Sequence, residues 1–192
     1  MILGSYVLLA SIVLGLNIIP AFMPPTWVVL AFFVTKYHLL LIPVVLIGAT
    51  CATLGRVILA SLSRKYFTKF FSQDSQANYA TIGEYLNSHQ HITVPLVVAY
   101  AFLPIPSNHV FIAAGLAKVR IKLLAGSFFA GRLISYTFWV SLTHRLADNL
   151  PEIFSKHYAR TGSIIIEIIG LIILYLLGKI AWKRILNKIN NT

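Results

Sequence analysis

Two arginines stand inside long apolar stretches of the sequence. Arg56 lies in the run from about 39 to 63, and Arg132 lies in the run from about 123 to 143. An arginine at the centre of a membrane helix costs about 2.5–3.5 kcal/mol, so both should face protein or water rather than lipid. The planar guanidinium donates two parallel hydrogen bonds to a phosphate, which makes both residues candidate anion ligands. The structural alternative is that both only bind loose backbone carbonyls nearby.

Helical spacing indicates which residues share a face with each arginine. The residues that share the face of Arg56 are small and favour close packing: Gly48, Ala52, Ala60 and Ser63. The larger side chains point away from this face: Leu54, Ile58 and Leu62. The face of Arg132 can line a polar path: Ala125, Ser135, Tyr136 and Thr143. We predict that Arg56, Arg132 and Tyr136 bind the transported group.

Proline pairs interrupt two other apolar segments. Pro24 and Pro25 follow Ala21-Phe22-Met23, and Pro104 and Pro106 follow Ala101-Phe102-Leu103. Proline removes a helical hydrogen bond, and irregular backbone at membrane depth is tolerated only inside protein or beside water. Each pair therefore predicts a re-entrant hairpin.

Polar residues follow each proline pair. Thr26 lies after the first, and Ser107 and Asn108 lie after the second. Half-helices that begin here would point the positive ends of their dipoles at an anion, so the three residues are predicted substrate ligands. The alternative is that they are ordinary helix caps.

The composition is that of an integral membrane protein. Hydrophobic residues make up 58% of the 192 residues, charged residues make up 11%, and the mean hydropathy is +0.80. The net charge of +11 comes from lysines and arginines beside the apolar runs. Membrane orientation and anionic lipid head groups explain such residues better than nucleic acid does.

The apolar runs predict an all-α polytopic fold in one membrane domain, residues 1–192. About four transmembrane helices cross the bilayer, and two opposed re-entrant hairpins lie at about 20–35 and 92–117. The first span is predicted at about 2–19, and the last at 163–182. This arrangement puts most lysines and arginines on one side, which places both termini in the cytoplasm.

The two halves share short signatures in the same order. Ala-Phe-Met-Pro at 21–24 matches Ala-Phe-Leu-Pro at 101–104, and Gly55-Arg56 matches Gly131-Arg132. The halves, about 17–64 and 92–146, form an inverted repeat in the predicted topology. Many secondary transporters have this organisation, with the binding site where the broken segments meet.

Two further features complete the candidate site residues and surfaces. Glu167, in the last apolar run, could accept a proton in coupled transport, or it could pair with Arg160 near the outer interface. The basic and aromatic segment 64–71 predicts an interfacial helix on an anionic leaflet, with a solvated linker as the alternative.

Signatures of enzymes are sparse. The sequence has no Gly-x-Ser-x-Gly, no His-Glu-x-x-His, no phosphate-binding glycine loop and no cluster of aspartates. His89 and His91 have no Cys, Asp or Glu ligand close by. We predict that the protein is not an enzyme and holds no metal and no cofactor.

These motifs together resemble the DedA family, also called the VTT or SNARE-associated domain, over about residues 15–150. The motifs are the proline-broken hairpins, Gly48-Ala49 before Gly55, Ala114-Gly115-Leu116-Ala117 and Gly131-Arg132. The resemblance implies a flippase or scramblase for phospholipids or polyprenyl phosphates. It also implies that Pro24, Pro25, Pro104, Pro106 and Gly115 shape the hairpins. The size of the chain and the absence of targeting signals favour the plasma membrane.

The chain departs from that family at two positions. Many members carry an acidic residue where this chain has Thr26, and an arginine where it has Asn108. The resemblance therefore favours an uncoupled scramblase, or coupling through Glu167. A scaffold that shapes the bilayer and a carrier of small solutes or ions are the alternative functions, and homo-oligomers are compatible with any of them.

Overall fold

The computed structural model describes residues 2–20, 24–103 and 107–145, with side chains to 143, and residues 168, 172, 175, 176, 178–180, 182 and 185. Within these ranges the chain forms helices and short connections and no strand, which confirms the all-α prediction for this part. Up to residue 145 the described chain has seven α-helices, and a short 3₁₀ helix, Phe67–Phe70, follows the third: α1 (Ile2–Ile18), α2 (Thr26–Tyr37), α3 (Leu41–Tyr66), α4 (Gln73–Ser88), α5 (Gln90–Phe102), α6 (Asn108–Leu116) and α7 (Ile121–Arg145).

Two of the described helices are long and apolar enough to cross a membrane. They are α3 with its 3₁₀ continuation, Leu41–Phe70, and Ile121–Thr143 of α7. Their 30 and 23 residues exceed the roughly 20 that a bilayer core requires. Most of the predicted C-terminal span at 163–182, and Glu167 with it, lies outside the described residues.

The first hairpin consists of α1 and α2. Asn17 Nδ2 donates to Thr26 Oγ1 at 3.0 Å near the turn, and Leu40 N donates to Tyr6 Oη at 3.3 Å where the arms end. The two helices are therefore antiparallel arms, joined by the segment that contains Pro24 and Pro25.

The predicted N-terminal topology is wrong on this point. Residues 26–37 form one uninterrupted helix, so 20–35 is not a hairpin that follows a separate span at 2–19. Because Tyr6 lies beside Leu40, the start of α1 and the end of α2 are at the same end of the molecule. The predicted cytoplasmic N-terminus depended on that separate span and stays a prediction.

The second hairpin has the arms that the sequence predicts. Its helices α5 and α6 contain 13 and 9 residues. Arg120 N, after α6, donates to Asn87 Oδ1, before α5, at 2.8 Å, so these arms are also antiparallel. Pro104 and Pro106 lie outside the described residues.

Gly115 does not break this hairpin. It lies inside α6, and the structure has no glycine with positive φ in its described part. A Cβ at Gly115 would collide with the carbonyl oxygen of Ala60 in α3. Its role is therefore to let α6 pack closely against α3, and Lys118, with φ 55°, forms the turn that follows α6.

The second arm of each hairpin packs on the long helix of the other half. Arg64 Nη2, near the end of α3, donates to the Val119 carbonyl, just before α7, at 2.7 Å, so α3 and α7 run antiparallel. The first arms α1 and α5 pack on α3 and α7 of their own halves. The second arms cross over, since α2 packs on α7 and α6 packs on α3.

The helix α4 lies against the base of the second hairpin. Its buried stripe consists of Ser75, Tyr79 and Gly83, one turn apart. A Cβ at Gly83 would overlap the Ala117 carbonyl, and Asn87 Nδ2 donates to the Lys118 carbonyl at 3.3 Å. Burial also raises the pKa of Tyr79 to about 12, so its phenol stays neutral at physiological pH.

Gly83→Val is expected to destabilise the protein by about 1–3 kcal/mol, the usual cost of overpacking, because α4 must move off the turn after α6. Gly126→Ala is the matched control, since a Cβ there meets nothing within 4 Å and alanine favours a helix over glycine. Thermal unfolding of both purified variants measures the effect. Equal melting temperatures would contradict the close contact at Gly83.

Candidate cationic site between the hairpins

Arg132 is the centre of the site. It lies in the middle of α7 and is only 7% exposed. Its guanidinium carbon lies 4.8 Å from the ring centroid of Phe128 and 5.4 Å from that of Tyr136, one turn to either side on the same face. The two rings stabilise the buried cation by cation–π contact and hold its position.

The guanidinium reaches the start of α6. Arg132 Nη2 donates to Ser107 Oγ at 3.4 Å, and Ser107 is the residue before the first turn of α6. The Ser107 side chain makes no capping bond to that turn. The Ser107 hydroxyl therefore accepts a hydrogen bond from Arg132 and does not cap α6.

Two buried donors beside this contact have no hydrogen-bond partner among the described residues. They are Nε of Arg132 and the hydroxyl of Tyr136, which is fully buried. A buried polar group left unsatisfied costs about 1–3 kcal/mol. The first amides of α6 also point outward at the positive end of its dipole, so the local chemistry is suited to an anion.

The long helix α7 also fixes the other side of the second turn. The Phe102 carbonyl, which ends α5, accepts from Ser135 Oγ at 3.2 Å and from Trp139 Nε1 at 3.3 Å. Since Arg132 binds Ser107, both Phe102 and Ser107 are held to one face of α7.

An indole pair joins the first hairpin to α7. The ring centroids of Trp139 and Trp27 are 5.9 Å apart. Trp27 follows Thr26 in the first turn of α2. Sequence reasoning missed both tryptophans. The available signals were that Trp139 lies two turns after Arg132 on its face, and that Trp27 directly follows Pro24-Pro25-Thr26.

Arg56 is buried as predicted, with 6% exposure, and is positioned by α3. The small residues on its face are buried, whereas Leu54, Ile58 and Leu62 are exposed, which confirms the predicted orientation of this helix. The adjacent Gly55 packs against Asn17, since an added Cβ would lie 2.7 Å from Asn17 Cβ. Arg56 therefore lies at the level where the first hairpin turns.

The structure brings together only part of the predicted site. Arg132, Tyr136 and Ser107 form one group, and Asn108 adjoins it with 4% exposure at the start of α6. Thr26 instead accepts a hydrogen bond from Asn17 and braces the first hairpin.

The described carboxylates lie elsewhere. Asp74 and Glu84 are the acidic residues of the described ranges, and both are exposed on α4. Across these same ranges no three His, Cys, Asp or Glu side chains group closely enough to hold a metal ion. The chemistry available at the site is donation of hydrogen bonds from cationic and neutral groups.

The class defined by these features is a helical protein with two helices able to cross a membrane and a buried cationic site beside the turn of its second hairpin. The chain matches no protein-family model, no curated protein and no solved structure.

Proposed function

We propose that the protein is a membrane lipid transporter of the DedA or VTT type, a flippase or scramblase. It passes phospholipids or polyprenyl phosphates between leaflets, with the phosphate at Arg132 and the tails in lipid. The observation that carries the proposal is the buried guanidinium of Arg132, with its Nε and the Tyr136 hydroxyl unsatisfied by the described residues. Arg56 would supply a second cation along the path.

The geometry of the hairpins supports re-entry from opposite sides. At 1.5 Å per residue, α2 is about 18 Å long and α6 about 14 Å, which is short of a 30 Å hydrocarbon core. The antiparallel α3 and α7 and the crossover of the second arms support an inverted repeat of about 17–64 and 92–146. The spans in this proposal are α3, α7 and the C-terminal segment.

Charge supports the orientation. The contact of Arg64 with Val119 places basic residues of both halves at one end: Arg64, Lys65, Lys69, Lys118, Arg120 and Lys122. Phe70 at the same end is 84% exposed, as suits a side chain that enters a lipid interface. We assign this end to the anionic cytoplasmic leaflet of the plasma membrane, and the start of α1 to the opposite side.

The test is movement of fluorescent lipids in liposomes that contain the purified protein. The double variant Arg56→Gln and Arg132→Gln is expected to move lipid at least about tenfold more slowly, because a hydrogen bond to a charged group contributes about 1.5–3 kcal/mol. The control is Lys36→Gln with Lys122→Gln, which removes the same charge from exposed positions.

Each result has a defined meaning. Unchanged transport in the double arginine variant would overturn the assignment. Movement by the wild-type protein only under a pH gradient would indicate coupling and direct attention to Glu167. A wild-type protein that moves polar solutes without lipid would be a carrier, and one that moves neither would be a scaffold.

A further inference from the structure

We infer that the site selects phosphate head groups that carry net negative charge and no ammonium group. This inference rests on the proposed function and names its substrate class. It follows from what surrounds Arg132 among the described residues: hydrogen-bond donors, a fixed positive charge, and two acceptors, Ser107 Oγ and the Phe102 carbonyl, that are already engaged.

An ammonium group needs hydrogen-bond acceptors, and the two described acceptors near Arg132 already bind other donors. Ser107 Oγ accepts from Arg132, and the Phe102 carbonyl accepts from both Ser135 and Trp139. An ethanolamine head group would bring in three N–H donors that replace their water contacts poorly at this position. Phosphate oxygens, by contrast, match the unsatisfied donors on Arg132 and Tyr136.

A choline head group meets a second obstacle. Quaternary ammonium groups bind to aromatic faces, and the two faces that contact Arg132 belong to Phe128 and Tyr136. Both rings already contact the guanidinium of Arg132, at 4.8 and 5.4 Å. A second cation would therefore have to approach the guanidinium itself and be repelled by it.

Carboxylates do not offset this charge within the described part of the chain. Asp74 and Glu84 are exposed on α4, and the sequence has no acidic residue from 1 to 73 or from 85 to 147. The field that the described residues produce at the site is therefore positive, and it favours a head group whose charge is negative overall.

The experiment compares lipids with identical labelled tails and different head groups in the same liposomes. We expect phosphatidic acid and phosphatidylglycerol to move at least about tenfold faster than phosphatidylcholine and phosphatidylethanolamine, since one charge-assisted hydrogen bond changes a rate by that factor. Equal rates for all four lipids would overturn the inference and leave the transport function intact.

A variant pair tests the cause of the preference. Ser107→Asp places a carboxylate beside Arg132 and suits the start of a helix, so it should bring the ratio of the rates close to one. Ser107→Ala, the matched control, should keep the preference. A ratio that Ser107→Asp leaves unchanged would contradict the inference.

A binding measurement keeps the two proposals separate. Short-chain soluble lipids of the same four head groups are added to the purified protein, and thermal unfolding is followed. The anionic pair should raise the melting temperature more than the zwitterionic pair, and Arg132→Gln should abolish the difference. Failure of transport with this pattern present would reject the proposed function alone, and equal stabilisation by all four would reject the selectivity.

Discussion

Cross-linking position 27 to position 139 is expected to stop lipid movement almost completely, and reduction of the cross-link should restore it. The Trp27 and Trp139 rings lie 5.9 Å apart and join α2 of the first hairpin to α7 of the second half. Arg132 lies two turns before Trp139 on α7, and the site is closed because Arg132 is 7% exposed and Ser107 is 1% exposed. Under the proposed function a head group reaches Arg132 only when α2 separates from α7, and a covalent bridge between positions 27 and 139 prevents that separation.

The measurement uses the Trp27→Cys and Trp139→Cys pair with Cys51→Ala, so that the added thiols are the only ones. A short reversible bis-thiosulfonate reagent joins the two introduced thiols, and transport is recorded before and after the bridge is reduced. Phe32→Cys with Ile134→Cys is the control on the same two helices, because both side chains are about half exposed. Full transport by the protein bridged between positions 27 and 139 would show that α2 and α7 do not separate at this contact.

The sequence predicted the interrupted elements well because proline acts locally. Two closely spaced prolines, each without an amide hydrogen and with a fixed φ, interrupt a helix, so the second hairpin has its two arms on either side of 104–106. The single Pro95, by contrast, lies inside α5. The buried face of α3 was equally predictable. Small residues recur there at helical spacing, while Leu54 and Ile58 lie off the stripe and are exposed.

The path of the first hairpin was not predictable from the sequence. No charge occurs from Met1 to Thr35, so neither hydropathy nor the positive-inside rule distinguishes a span followed by a hairpin from one long hairpin. The deciding contacts are tertiary, between Tyr6 and Leu40 and between Asn17 and Thr26. Gly115 illustrates the same limit, because the sequence does not distinguish a glycine that permits close helix packing from a glycine that ends a helix.

The candidate site was predictable to the extent that it lies on one helix. Arg132, Ser135 and Tyr136 share a face of α7, and their spacing indicates this directly. The contact between Trp27 and Trp139 joins residues far apart in the chain, and no local pattern encodes it. The same holds for Arg132 and Ser107, whose meeting depends on how the second hairpin packs against α7.

Tyr136→Phe separates a binding role from a structural one. The phenol is fully buried and has no hydrogen-bond partner in the described part of the chain, so removing it should leave the melting temperature unchanged or raise it. The ring that contacts Arg132 is retained. If the hydroxyl donates to a phosphate in transit, transport should fall about tenfold, the effect of one hydrogen bond to a charged group.

The outcome depends on measuring stability and transport in the same preparation. Tyr37→Phe, which changes an exposed phenol on α2, should alter neither quantity. A Tyr136→Phe protein that melts at a lower temperature and transports normally would mean that the hydroxyl stabilises the fold through a group outside the described residues. A protein of unchanged stability with slower transport would place the phosphate between Tyr136 and Arg132, because only there can one hydroxyl matter to the substrate and not to the fold.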